Sequence, residues 1–162
     1  MRITDKYVFF YGGIFSQWHK VPIQYKGVWF NCAEQAMMYH KALMFGDLGR
    51  AEKIMLTDSP KEQKALGRKV FPFVPEEWNE KSSELIIDIN YAKFTQHPEL
   101  TEQMRSMGNR IFVEASPYDK IWGIGMRETD AGVEDSKNWK GQNKLGYCLT
   151  YVSQEIKPLI KL

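Results

Sequence analysis

The sequence predicts an α+β domain that is mainly helical and carries a few short β-strands. Three stretches place apolar residues at helical spacing, at about 32–45, from Glu76 to Pro98, and from about Asn143 onward. Two short apolar runs, at 7–11 and 25–30, have the length and composition of strands. Because 43% of the 162 residues are hydrophobic, one core can be built, and we expect residues 1–162 to form a single domain.

The two predicted strands precede the first helix. Two glycines end the run at 7–11, and the run at 25–30 leads into a polar position, Asn31. Glu34 follows Asn31 by three residues, which resembles a capping box. We therefore expect a helix over 32–45, which Gly46 ends.

Capping and proline signals divide the centre of the chain into helices. Ser59 is expected to be an N-cap, with Pro60 at the first helical position and Glu62 completing a second capping box. Prolines at 72 and 75 interrupt the helical pattern. The expected helices span 48–57, 60–70, 76–97 and 98–107, and the apolar face of the longest carries Trp78, Leu85, Ile89 and Ala92.

The last third of the chain combines a strand, a long loop and a helix. Residues 110–115 alternate in the manner of a strand. Residues 116–143 form a connection of the length often found in binding loops. The final helix is expected to begin near Asn143 and to present Leu145, Leu149, Val152, Ile156 and Leu159 on one face.

Composition excludes several classes of protein. The net charge of +2, the pI near 8.4 and the mean hydropathy of −0.46 indicate neither a strongly basic surface nor a membrane protein. With no hydrophobic leader at the N-terminus, we expect a cytoplasmic protein without a membrane partner. Cys32 and Cys148 are far apart and are expected to be buried, and the histidines match no metal spacing. No metal, cofactor or obligate protein partner is inferred.

Glu34 and Lys41 are candidate site residues on the first helix. Their spacing places them on nearly the same face, two turns apart. In the simpler interpretation Glu34 caps the helix and Lys41 is solvated. In the other, the apolar residues around Glu34 hold a carboxylate that can do acid–base chemistry.

Further candidates lie in the loop and on the central helices. Asp119 suits an Asx-type turn, yet beside Trp122 and Gly123 it also suits contact with a base or a ribose hydroxyl. Arg68 and Lys93 are either solvated or bind phosphate oxygens. Trp78, taken alone, fits a core position.

Taken together, these segments resemble the NADAR family, whose name stands for NAD- and ADP-ribose-associated proteins. The matching segments are Phe9-Phe10-Tyr11 with Phe15-Ser16-Gln17-Trp18, Cys32-Ala33-Glu34-Gln35-Ala36 through Lys41-Ala42, Leu66-Gly67-Arg68, Trp78, Ala92-Lys93-Phe94, Glu114 to Asp119, Trp122-Gly123-Ile124-Gly125 and Trp139 to Gly146. One departure is Ala33-Glu34-Gln35, where many relatives have Ser-Glu-His.

The resemblance implies hydrolysis of an N-glycosidic bond. Some members of the family remove ADP-ribose from guanine in DNA, and others act on phosphoribosylamino-pyrimidine intermediates of riboflavin synthesis. A non-catalytic module that binds ADP-ribose is a third alternative. The implied partner is thus a small molecule containing ADP-ribose or ribose phosphate, or ADP-ribosylated DNA. Glu34, Asp119 and Trp78 match active-site positions, and Lys41, Arg68, Lys93, Trp122, Gly123 and Asn143 are implied to contact substrate.

The implied chemistry assigns roles to two carboxylates. Cleavage of a base–ribose bond builds positive charge at the anomeric carbon, which a nearby anion stabilises. The hypothesis is that Glu34 stabilises the cationic sugar or activates water, and that Asp119 orients the ribose hydroxyls or assists the same water. Alternatively, Lys93 forms a Schiff base with the ring-opened sugar if burial lowers its pKa, a route that borohydride trapping would reveal.

Overall fold

The computed structural model describes residues 1–156, and it confirms the α+β class. The strands are β1 (Arg2–Ile3), β2 (Tyr7–Phe10), β3 (Ile23–Tyr25), β4 (Val28–Phe30) and β5 (Ile111–Glu114). The helices are α1 (Ala33–Met44), α2 (Leu48–Met55), α3 (Pro60–Gly67), α4 (Pro75–Gln96), α5 (Pro98–Ser106) and α6 (Lys144–Glu155). None of these helices is both long enough and apolar enough to cross a membrane.

The chain divides into two compact units. The sheet unit comprises Met1–Ser16 and the chain from His97 onward, and the helical unit comprises Gln17–Gln96. In the sheet unit, β2 lies between β1, which is antiparallel to it, and β5, which is parallel to it. Helix α6 packs against β5. The core beside this sheet includes Phe9, Val113 and Ile124, each fully buried.

The predicted single strand at 25–30 is wrong, because the segment is part of a hairpin. β3 and β4 pair antiparallel, and the turn between them is Lys26-Gly27. Lys26 has φ 50° and Gly27 has φ 79°. Positive φ at both central positions is the geometry of the tight hairpin turn that matches the twist of its strands. Gly27, inside the apolar run, was the residue in the sequence that could have indicated this turn.

Helix α1 is the centre of the helical unit. It packs against α2, α3 and α4. Its contact with α3 is so close that a Cβ at Gly67 would overlap the side chain of Met38. The helix begins one residue later than the predicted capping box requires, because Cys32 is the N-cap and its sulfur accepts a hydrogen bond from the backbone of Gln35 at 3.4 Å.

The long helix α4 has the predicted extent but a different buried face. Of the predicted face, Trp78 and Ile89 are buried, whereas Leu85 and Ala92 are only partly so. The buried positions are Trp78, Ser82, Ile86, Ile89, Asn90, Lys93 and Phe94. Three of these side chains are polar, so a search for apolar spacing alone could not find the correct face.

The remaining helices follow the predicted order with shifted ends. Helix α2 ends at Met55 and α3 at Gly67, earlier than expected. Ser59 is the N-cap of α3, as predicted, and its hydroxyl accepts from the backbone of Glu62 at 3.3 Å. The Glu62 carboxylate instead accepts from the Thr57 hydroxyl at 2.5 Å. Both cysteines are buried, as predicted. Leu159, predicted on the face of α6, lies outside the described residues.

Candidate functional site

The predicted site residues are distributed over both units. Glu34, Lys41, Arg68, Trp78 and Lys93 belong to the helical unit. The sheet unit contains Asp119, Trp122, Gly123 and Asn143.

Glu34 is a buried carboxylate in the first turn of α1. Its side chain is 6% exposed, and its backbone N–H donates to the carbonyl of Gln17 at 2.9 Å. The capping role belongs to its neighbours, because Cys32 caps the helix and the side-chain oxygen of Gln35 accepts from the backbone of Asn31 at 2.7 Å. The predicted capping box between Asn31 and Glu34 is therefore wrong. Its carboxylate lies at a helix N-terminus, where a negative charge is favoured.

Lys41 lies between an acidic and a basic neighbour. Its Nζ is 4.6 Å from the ring centre of Phe73 and 5.4 Å from that of Trp78. Burial lowers the pKa of Lys41, while the charge of Glu34 raises it and the charge of Arg68 lowers it. The ammonium is thus held beside two aromatic faces, which attract a cation, and within the field of the Glu34 carboxylate.

Trp78 and Arg68 complete this cluster from two other helices. Trp78 is 8% exposed and lies in the first turns of α4. Arg68 is exposed and follows the last residue of α3, where its backbone N–H donates to the carbonyl of Lys64 at 3.1 Å. Together with Glu34 and Lys41 on α1, these side chains form what we call the α1 cluster. It combines one carboxylate, two cations and an indole ring.

Phe73 is a member of this neighbourhood that the sequence analysis missed. The segment around it was interpreted only as an interruption of the helical pattern, because it contains Pro72 and Pro75. Its ring packs against Phe45 with centroids 5.1 Å apart and faces the Lys41 ammonium. An aromatic residue between two prolines was the only signal, and it does not identify a partner.

Lys93 is buried completely on the inner face of α4. Burial lowers its pKa from 10.5 to about 7, and the nearby Cys32 thiol opposes that shift. Conversely, burial raises the pKa of Cys32 to about 11, with the charge of Glu34 acting in the same direction. The charges of Lys93, Cys32 and Glu34 therefore influence one another. With a pKa of about 7, the amine of Lys93 is partly neutral near pH 7.

The buried amine gives stability a specific pH dependence. Between pH 7 and 10.5 the unfolded chain binds more protons at Lys93 than the native chain, so stability rises with pH by up to about 1.4 kcal/mol per pH unit from this group. Below about pH 7 both states are protonated and this contribution is constant.

We expect Lys93→Met to flatten the rise in urea midpoint between pH 7.5 and 9. Lys81→Met, at an exposed position of α4, should leave it unchanged, and equal slopes in wild type and Lys93→Met would contradict the assignment.

Asp119 organises the backbone of its own loop. Its Oδ1 accepts from the N–H of Ile121 at 2.9 Å and from the N–H of Trp122 at 2.8 Å. The N–H of Asp119 in turn donates to the Ser116 hydroxyl at 3.2 Å. The Asx-type turn is thus confirmed, and a catalytic role for the same carboxylate stays a prediction.

Gly123 and Asn143 hold the loop to β5. A Cβ at Gly123 would lie 2.9 Å from the carbonyl oxygen of Asp119, so the missing side chain is required by packing within the loop. Asn143 is fully buried, and its amide accepts from the backbone of Glu114 at 2.9 Å and donates to that of Phe112 at 3.0 Å. These contacts assign both residues a positioning role, and direct contact with substrate stays an untested prediction.

Trp122 is half-buried beside this turn, and the ammonium of Lys144 lies 4.8 Å from its ring centre. The indole therefore already has a cation on its face. Its role as a wall for a substrate stays a prediction.

A shallow groove of about 470 Å³ also opens in the helical unit. It is lined by Lys20, Val21, Pro22, Trp29, Phe30, Asn31, Gln35, Met55 and Asp58. None of the predicted site residues lines it. The side-chain amides of Asn31 and Gln35 are already bonded to other groups of the protein, so we place the candidate chemistry in the α1 cluster.

Comparison with known proteins adds four findings. A family model described as the NADAR domain matches residues 9–157. N-glycosidase R617 of Acanthamoeba polyphaga mimivirus is 40% identical, over 94% of this chain and 97% of that protein. The chloroplastic riboflavin biosynthesis protein PYRR of Zea mays is 31% identical, over 65% of this chain and 16% of that protein. The NMR structure of the Escherichia coli protein YbiA aligns with a TM-score of 0.76 at 25% identity, and the alignment covers 96% of this chain and 87% of that chain.

Proposed function

The chain belongs to the NADAR domain family and is an N-glycosidase, and from that premise we propose that it releases ADP-ribose from ADP-ribosylated guanine in DNA. The activity class follows from a relative named N-glycosidase that matches along nearly its whole length. Because the family match runs through both compact units, we also propose that residues 1–162 act as one domain.

The observation that carries the proposal is the state of Glu34. Its carboxylate is buried in the first turn of α1, and it lies within electrostatic reach of Lys41. When the base–ribose bond breaks, positive charge develops at the anomeric carbon. A fixed anion in a poorly solvated site stabilises that charge strongly. In the proposed mechanism Glu34 is this anion, or it removes a proton from the attacking water.

The cations and the indole of the α1 cluster suit the rest of the substrate. Arg68 offers a planar fork for phosphate oxygens, and Lys41 offers a second positive charge on the neighbouring helix. The ring of Trp78 provides a flat surface for a base. An N-glycoside that carries both a planar base and a pyrophosphate matches this set of groups.

Removing the Lys41 charge should weaken substrate binding. Charge-assisted hydrogen bonds contribute about 1.5–3 kcal/mol, so we expect Lys41→Met to raise KM by about 10- to 100-fold with a smaller change in kcat. Lys61→Met, at an exposed position of α3, serves as the matched control. Steady-state kinetics on an ADP-ribosylated guanosine separate the two constants. An unchanged KM would remove Lys41 from phosphate binding.

Asp119 and Lys93 have proposed supporting roles. We propose that the Asp119 oxygen not bonded to Ile121 and Trp122 orients the ribose hydroxyls or assists the water. The lowered pKa of Lys93 meets the condition stated for the covalent alternative, in which its neutral amine adds to the imine carbon of the ring-opened glycoside, the base leaves as the free amine, and water then hydrolyses the resulting Schiff base. A borohydride-reduced adduct at Lys93 would select that route over direct hydrolysis.

The direct test is incubation with defined substrates. The protein is mixed with DNA that carries one ADP-ribosylated guanine, and mass spectrometry follows release of free ADP-ribose and restoration of guanine. Calorimetry with ADP-ribose runs in parallel. Binding of ADP-ribose without release from any tested glycoside would favour a non-catalytic module, and neither binding nor release would contradict the proposal.

A second candidate substrate is a phosphoribosylamino-pyrimidine of riboflavin synthesis. The similarity to a protein named for riboflavin biosynthesis favours it. The two candidates differ in salt dependence, because a DNA substrate requires phosphate contacts that release counterions. Turnover of the small metabolite that is insensitive to salt, with none on DNA, would select the second candidate.

A further inference from the structure

The loop between α3 and α4 presents the ring of Phe71 to solvent. We call residues 68–74 the Phe71 loop. The Phe71 side chain is 80% exposed, among the largest exposures of any apolar side chain in residues 1–156. A flat apolar ring that remains in water is available to stack against a nucleobase.

The backbone of this loop is fixed on both sides of the exposed ring. The N–H of Phe71 donates to Oδ2 of Asp47 at 3.0 Å, and this bond is the largest cause of the lowered pKa of that carboxyl. On one side Val70 is buried, and on the other Phe73 packs against Phe45. Pro72 restricts the residue before it and removes a further degree of freedom. The ring is therefore held outward by the fold.

The chemistry around the ring suits nucleic acid. Two exposed cations, Arg68 and Lys69, lie three and two residues before Phe71 in the chain. The acids that follow, Glu76 and Glu77, lie in the first turn of α4, where negative charge compensates the helix dipole. Phe73, two residues on, contacts Lys41 of the α1 cluster. The loop thus connects an exposed apolar ring, two exposed cations and the candidate site.

We propose that Phe71 inserts into the base stack of a DNA duplex and fills the space left when the ADP-ribosylated guanine is extruded toward the α1 cluster. An enzyme that acts on a base inside a duplex must first take that base out of the stack. Apolar side chains that enter between base pairs compensate the lost stacking. This inference rests on the proposed function and names the form of substrate, a duplex, that the Phe71 loop serves.

The test compares one variant on two substrates. The duplex substrate carries a single ADP-ribosylated guanine, and the small substrate is ADP-ribosylated guanosine. We expect Phe71→Ala to lower kcat/KM on the duplex by about 5- to 100-fold, the range expected for loss of one stacking contact. On the nucleoside the variant should match wild type, because no base pair has to open. The backbone bond to Asp47 survives the substitution, so the loop keeps its position.

Two further variants serve as controls. Phe71→Trp keeps a flat apolar ring and should retain activity on the duplex. Leu56→Ala removes an apolar side chain that is also 80% exposed, at the end of α2. This variant should leave kcat/KM unchanged on both substrates.

Each outcome decides the inference. A lower kcat/KM of Phe71→Ala on the duplex, with an unchanged value on the nucleoside, supports the insertion of Phe71 into the base stack. An equal fall in kcat/KM of this variant on both substrates, or no fall on the duplex, contradicts the insertion and leaves the proposed function intact. Wild-type protein that hydrolyses the nucleoside but not the duplex also contradicts it. Wild-type protein that hydrolyses neither substrate contradicts the proposed function, and the inference fails with it.

Discussion

Glu34→Gln is expected to lower kcat by about 10²- to 10⁴-fold, the range for loss of a general acid–base or charge-stabilising group. The amide keeps the shape of the side chain but has no negative charge to place beside the developing cation. Because Cys32 is the N-cap of α1 and Gln35 accepts from the backbone of Asn31, the helix should still begin at Ala33. Single-turnover assays on ADP-ribosylated guanosine give the rate, and circular dichroism verifies the fold.

The matched control for this change is Glu99→Gln. Glu99 also lies in the first turn of a helix, α5, but its side chain is 67% exposed. The same loss of charge at the same helical position should leave the rate unchanged. If Glu34→Gln folds normally and retains the wild-type rate, Glu34 takes no part in the mechanism.

Gly146→Ala is expected to destabilise the protein by about 2–4 kcal/mol. A Cβ at this position of α6 would overlap the backbone oxygen of Phe112 and the side-chain oxygen of Asn143. The Phe112 oxygen belongs to β5 and accepts from the amide of Asn143, and the Asn143 oxygen accepts from the backbone of Glu114. Neither oxygen can therefore shift without breaking a hydrogen bond between β5 and the start of α6. Thermal unfolding should show a fall in Tm of about 5–15 °C.

A second helical glycine provides the control. Gly49 lies in α2, and a Cβ there would meet nothing within 4 Å. Gly49→Ala should therefore be neutral or stabilise the protein by up to about 1 kcal/mol, since alanine is the better helix former. A similar loss of stability in both variants would show that the packing of Gly146 against β5 is not the cause.

Local signals in the sequence predicted the elements well where one residue type has one structural meaning. Pro60 after Ser59 marked the start of α3, and Pro98 separated α4 from α5. The prediction was wrong where two interpretations share a pattern. Lys26-Gly27 lay within an apolar run and is a hairpin turn, and Glu34 had the spacing of a capping partner that Gln35 supplies instead.

The buried face of α4 shows why the candidate site was only partly predictable. Periodicity identifies a buried face by its apolar residues, but Ser82, Asn90 and Lys93 are polar and fully buried. Burial of a lysine is unfavourable and persists only where the surrounding fold imposes it. No pattern within the helix records that environment.

The sequence by itself determined the class of fold, the order of the helices and the family, because these depend on local spacing and on motifs that recur along the chain. Only the tertiary structure decided which polar groups leave water and which are occupied by the backbone. It buried Glu34, placed Lys41 against two aromatic rings, and engaged Asp119 and Asn143 in hydrogen bonds inside their own unit. Desolvation and hydrogen bonding depend on residues distant in the chain, so their effect on a side chain appears only once those residues are brought together.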